Sequence, residues 1–362
     1  MDRIGHLFDK YFIGNRMIKN HFVMAPVPSG MIKNEIIQDG IVDFYDSRSK
    51  DVGLVIIGAI NIDSLTATNH PKIPYIRTEN DLSKWESVNS QIHKNGAVSL
   101  AEIWHSGSSR KTSIYSNSYL TPSENKIDEH TLREVTLYDI HEVMDGFVDA
   151  AINAYKCGFD GVDIHAAHGS LLHDFLSEDV NYRKDEYGYH NGIHIINEII
   201  DRIRYRLGKD FIISVRISNY KMYDLNSYLR KDEKELGNLI KSFSSNVDML
   251  DVSSLHWQDK ATPNSETIFS KFVKENTHVP VITVGQIGFK DNFYSDLPKI
   301  LQRITKNPYG SLLDMQSDIS QFNNIEDLYN DFMNRNFDLV AIGRPLLVNP
   351  RWLMEVKKNN ND

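Results

Sequence analysis

Residues 161–169 read Gly-Val-Asp-Ile-His-Ala-Ala-His-Gly, a short apolar run that leads into two histidines three positions apart. The run 161–164 is too short for a helix and fits a strand buried on both faces, as in a parallel sheet. A helical stretch, 136–157, precedes it, with Thr136 as a capping residue and Gly158 as a stop. Another, 193–207, follows and is closed by Gly208. On this reading the two histidines stand where the strand ends and a loop begins.

The same alternation continues in both directions. Apolar strands are expected at 22–25, 53–58, 97–103, 161–164, 211–217, 247–252, 279–284 and 338–342. Helices are expected at 40–50, 81–95, 136–157, 193–207, 232–244, 266–276, 325–336 and after Pro350. Eight strand-then-helix units in a chain of 362 residues predict an α/β fold, a TIM (β/α)8 barrel with a short N-terminal cap. The polar, Asn- and Ser-rich segment 291–323 reads as an insertion between strands seven and eight, so 1–362 is read as one domain.

Composition narrows the function. The net charge of -9 lacks the basic stripe that a phosphate backbone requires, which argues against nucleic acid as a partner. No apolar run approaches the roughly 20 residues of a membrane helix, and the N-terminus has no apolar signal core. A single cysteine, Cys157, excludes an internal disulfide and a cysteine-ligated iron–sulfur cluster. The expectation is a reduced, cytoplasmic enzyme or binding protein acting on a small molecule.

In a barrel of this kind the residues just after each strand converge on one mouth. They are Ala25, Pro26, Val27 and Pro28 after strand one, Ala59 after strand two and Glu102 with His105 at strand three. His165 and His168 follow at strand four, Arg216 at five, Ser253 and Ser254 at six, Gly285 at seven, and Gly343 and Arg344 at eight. Glycines allow close backbone approach and an arginine supplies a fixed fork of donors, so the last two ends suit a phosphate. Arg216, at the end of a buried apolar run, needs an anionic partner: a neighbouring carboxylate or a reduced, anionic cofactor. For His165 and His168 three readings stand open: a satisfied core pair, a metal site shared with Asp163, or a substrate-binding pair.

These residues in this order resemble the old yellow enzyme family, the NADH:flavin oxidoreductase / NADH oxidase family. The resemblance runs from Leu7 to Pro350 and is carried by residues 19–26 (KNHFVMAP), 158–161 (GFDG), 165–169 (HAAHG), 175–177 (FLS), 181–188 (NYRKDEYG) and 342–347 (IGRPLL). It is closest to the shorter bacterial, single-domain branch. It implies FMN at the barrel mouth and NADH or NADPH as reductant, with reduction of an activated alkene, quinone-like, nitro or other electrophilic acceptor. The alternative it leaves is a flavin-binding protein of the same fold with lost or altered turnover.

By position, the resemblance assigns Ala25, Pro26, Val27, Pro28, Ala59, Glu102, Arg216, Gly285, Gly343 and Arg344 to the cofactor. It assigns His165 and His168 to the substrate, no residue to a metal, and self-association to a homo-oligomer. Arg216 would face the flavin N1/O2 edge, where negative charge accumulates on reduction. The chain departs from the family at four places, one of them Gly30, where an aromatic commonly lines the substrate pocket. Ser170 stands where the proton-donating tyrosine is usual, Glu102 where a glutamine holds the pyrimidine edge, and Pro28 where a cysteine or threonine is usual. Tyr182 and His105 are further candidates to supply a proton.

Overall fold

The computed structural model describes residues 4–62, 72–107, 120–127, 130–288 and 324–359. Eight parallel strands close into a barrel: β1 (Phe22–Met24), β2 (Leu54–Asn61), β3 (Val98–Trp104), β4 (Gly161–His168), β5 (Ile212–Lys221), β6 (Met249–Ser253), β7 (Val281–Val284) and β8 (Leu339–Ile342). The ring closes where β8 pairs with β1, Ala341 opposite Val23. The longer helices are α1 (Ile41–Ser49), α2 (Glu79–Lys94), α3 (Leu137–Lys156), α4 (Ile193–Leu207), α5 (Glu233–Lys241), α6 (Phe269–Asn276), α7 (Ile325–Met333) and α8 (Trp352–Asn359), and short helical turns run over Leu171–Phe175 and Arg344–Val348. The expected barrel is thus the one observed. The segment 291–323 lies outside the described residues.

The strands read as continuously apolar because both of their faces are covered. Outward residues such as Val55, Ile57, Ile103, Val162, Ile164, Val215 and Val252 pack into one large core with the helices. Inward residues Val23, Leu54, Ile56, Val98, Leu100, Ile212, Met249, Ile282, Leu339 and Ala341 form a second core inside the barrel. Ile13 and Ile18, from the antiparallel hairpin Tyr11–Ile13 and Arg16–Ile18, join that inner core and supply the N-terminal cap.

Local signals set the helix starts. Thr136 caps α3, its hydroxyl accepting from the Asp139 amide while the Asp139 carboxylate accepts from the Thr136 amide. Thr78 and Asp81 make the same reciprocal cap on α2, and the Asp232 side chain caps α5. Cys157, at the end of α3, is buried, and burial pushes its thiol up to about 12. It behaves as a small apolar residue.

Three strands run further than the sequence suggests, among them β2, which runs on to Asn61 so that Ala59 lies within the strand rather than after it. β4 continues through His165 to His168, and β5 through Arg216 to Lys221. The two extensions support each other: His165 pairs opposite Arg216, Ala166 opposite Ile217 and, after a register break, His168 opposite Lys221. The histidines therefore stand on the strand rather than on the loop after it. The break turns the His168 backbone into the left-handed region at φ 62°, an uncommon conformation for a residue with a Cβ.

Candidate active site

Strand alternation sends residues i, i+2 and i+4 to one face. On β3 to β6 that inward face carries Glu102, then Asp163 and His165, then Ser214 and Arg216, then Asp251 and Ser253, all buried. These groups bind one another. The Glu102 carboxylate Oε1 accepts from His165 Nδ1 and from Arg216 Nη1, each at 2.8 Å. Asp251 Oδ2 lies 3.3 Å from Arg216 Nε, an ion pair without hydrogen-bond geometry, and Arg216 Nη2 donates to Ser253 Oγ at 3.3 Å. Ser253 Oγ in turn shares a hydrogen bond of 2.9 Å with His168 Nε2.

Three carboxyls surround one guanidinium, so their protonation must divide. Burial pushes Glu102 up, but the charges of His165 and Arg216 and the bonds they donate outweigh it and hold it below the usual range. Burial together with the Asp251 and Glu102 charges pushes Asp163 well above its ordinary value, and neither Asp163 oxygen has a hydrogen-bond partner. Burial also drives Asp251 up, to about 6, against the pull of Arg216. Asp163 is the carboxyl that stays neutral. His168 stays neutral as well, its charged form opposed by burial, Arg216, His165 and His173.

Above this network opens a cavity of about 310 Å³. Eight of the residues expected at the site line it: Ala25, Pro26, Val27, His168, Arg216, Gly285, Gly343 and Arg344. Its floor is apolar along β7, β8 and β1, and among the described residues the cations that line it are Arg216 and Arg344. Gly285 is required for the wall to close. A Cβ there would lie 2.6 Å from the Trp257 nitrogen and 2.8 Å from the Ser254 oxygen, so the loops after β6 and β7 meet backbone to backbone.

The other expected residues lie elsewhere. Glu102 and His165 are buried and do not line the cavity, although both touch groups that do or that bond to its lining. Pro28 and Ala59 line a separate small pocket with Tyr45 and Trp85. Ser170 is buried and does not line the cavity, and its hydroxyl donates to the His165 carbonyl at 3.2 Å. Tyr182 is exposed and donates to the Asp179 carbonyl, while His105 Nδ1 accepts from the Gly107 amide. Neither lines the cavity. Among the described residues no three His, Cys, Asp or Glu side chains gather in a metal-binding geometry.

Two contributors escape a reading of strand ends. Tyr220 lines the cavity with its ring 4.9 Å from that of His168, and burial raises its hydroxyl's pKa. It was hidden because β5 runs past its expected end. Asp251 sits in the middle of an apolar strand, and its inward parity with Arg216 was the available signal.

The profile of the NADH:flavin oxidoreductase / NADH oxidase family matches residues 6–296. The chain is 28% identical over 372 residues to the NADPH dehydrogenase of Clostridium acetobutylicum, covering 98% of this chain and 95% of that one. It is 25% identical over 379 residues to the NADH oxidase of Thermoanaerobacter brockii, covering 100% of this chain but only 52% of that longer protein. The fold matches the old yellow enzyme homologue of Zymomonas mobilis at a TM-score of 0.73 and 21% identity, over 98% of this chain and 92% of that one. No helix among the described residues is long and apolar enough to cross a membrane. With the profile spanning most of the barrel, the chain belongs to the NADH:flavin oxidoreductase / NADH oxidase family, the old yellow enzyme family, which uses FMN with NAD(P)H as reductant.

Proposed function

We propose that the chain takes hydride from NADH or NADPH through FMN held in the barrel-mouth cavity and reduces a small electrophilic acceptor. One observation carries this reading: a single cavity has an apolar floor flanked by Arg216 and Arg344, with His168 on its wall. The donor set suits FMN. A flat ring fits the floor of Ala25, Pro26, Val27, Val284 and Ala341, and a pyrimidine edge fits beside the Arg216 guanidinium. The glycine-lined end with Gly285, Gly343 and Arg344 suits the phosphate. When bound, FMN supplies the hydride carrier that no side chain can provide.

The chain's own part is to bind and orient the acceptor. Neutral His168 holds a carbonyl or amide oxygen without placing a second cation beside Arg216. His165 commits Nδ1–H to Glu102, and its Nε2 has no hydrogen-bond partner among the described residues. Because His165 does not line the cavity, the acceptor oxygen is oriented by neutral His168 and takes its proton from solvent that reaches the cavity. Ser170, turned toward the His165 carbonyl, offers no proton to carbon. This favours acceptors protonated on oxygen or nitrogen, quinone-like or nitro compounds, over alkenes that need a proton on carbon.

The purified protein, mixed with FMN and desalted, should retain flavin absorbance that bleaches with NADH or NADPH under anaerobic conditions and recovers on adding a quinone. Failure to retain FMN rules the proposal out. The inward-turned Ser170 also favours a second reading, a flavin-binding protein with altered turnover. Retained FMN that bleaches over minutes rather than seconds would select it.

A further inference from the structure

Glu102 is built into the barrel in a way that touches the charge offered to the cavity. Gly58 on β2 leaves the space it fills: a Cβ at that position would lie 2.4 Å from both the Cβ and Oε2 of Glu102. The carboxylate is 3% exposed and is held by two donors, Arg216 and His165. Arg216 has five N–H groups in a rigid fork. Nη1 donates once to Glu102, Nη2 donates once to Ser253, and Nε faces Asp251. These contacts leave one N–H on each terminal nitrogen uncommitted, and Arg216 is part of the cavity lining.

A guanidinium backed by two buried carboxylates presents less positive potential forward than one backed by neutral groups. In a low-dielectric interior that difference is not screened away by water. We infer that Glu102 is a positioning residue that offsets the charge Arg216 shows to the pyrimidine edge of FMN, so that this chain favours the reduced, anionic cofactor less than a neutral residue at 102 would. The inference rests on the FMN reading above. Its consequence is a lower two-electron potential, which makes the reduced protein a stronger donor to its acceptor.

The test is the midpoint potential of FMN-loaded protein, equilibrated anaerobically against a reference dye, together with the dissociation constant for oxidised FMN. In Glu102→Gln, Arg216 keeps a hydrogen-bond acceptor and loses one opposing charge. Reduced FMN should then be favoured over oxidised by about tenfold relative to the parent, about 30 mV for a two-electron couple. Glu102→Asp keeps the charge and should remain within about twofold. Asp251→Asn removes the other carboxylate on Arg216 and should raise the potential too, which keeps the idea testable if Glu102→Gln does not fold. A folded Glu102→Gln or Asp251→Asn whose potential is unchanged or lower overturns the inference while leaving FMN binding intact. If the parent protein retains no FMN, the function proposed above fails and this inference fails with it.

Discussion

The inner wall of the barrel has two unlike halves at the same depth. On β3 to β6 the upper inward residues are Glu102, Asp163, His165, Ser214, Arg216, Asp251 and Ser253; on β7, β8, β1 and β2 they are Ile282, Val284, Ala341, Ala25, Ile56 and Gly58. Most of these residues are fully or nearly buried, so depth does not separate the halves. What separates them is adjacency. Arg216 can meet Glu102, Asp251 and Ser253 because the four strands that carry them or link them are neighbours. Scattered around the ring, the same charges would each be buried without a partner, at several kcal/mol apiece. The apolar half, with no polar group to satisfy, is free to give the cavity its floor.

The comparison can be broken most severely at its one guanidinium. Arg216→Leu leaves Glu102 and Asp251 facing each other without their common cation, and unfolding by urea should show a loss of about 3–5 kcal/mol. If stability were kept, the charged half would not be a single network. On the other half the sensitive point is backbone rather than charge. Gly285→Ala drives a Cβ against the Trp257 nitrogen and Ser254 oxygen, and the expected loss is about 3 kcal/mol with weakened FMN retention, read by the same urea unfolding and by flavin titration.

A smaller effect follows from Asp251. Its folded pKa, about 6, is raised above the ordinary 3.8, so the folded state holds the proton more tightly than the unfolded chain. Its contribution is full below pH 3.8 and is lost as pH rises through 6. Over that window the parent should lose about 2 kcal/mol relative to Asp251→Asn. Parallel stability curves for the two proteins from pH 4 to 7 would remove Asp251 from the account. The least effect is expected at Ser170. Its long bond to the His165 carbonyl predicts a loss below about 1 kcal/mol for Ser170→Ala, with unchanged quinone reduction. A large drop in rate would make Ser170 a proton donor after all.

The legible part of the site was the strand ends. Ala25, Pro26, Val27, Arg216, Gly285, Gly343 and Arg344 follow apolar runs directly, and all of them reach one cavity. Pro28 and Ala59 also follow apolar runs, yet Pro28 lies on the loop after β1 and Ala59 within β2 at its register break, and both line a neighbouring pocket. Position after a strand says which end of the barrel a residue occupies but not which side of a loop its side chain takes. Tyr220 was concealed for a related reason: periodicity does not report that β4 and β5 lengthen each other by pairing.

The sequence by itself determined the barrel, because eight doubly buried strands leave a parallel closed sheet as the way to satisfy every backbone group. It also determined the family, through motifs local enough to be read in order. Only the tertiary structure decided the chemistry behind the cavity. Glu102, Asp163, Arg216 and Asp251 lie on four different strands, up to 149 residues apart (251 − 102), and their charge states exist only through one another. Burial raises every carboxyl. It is the distances fixed by the closed barrel that choose which of them keeps its charge.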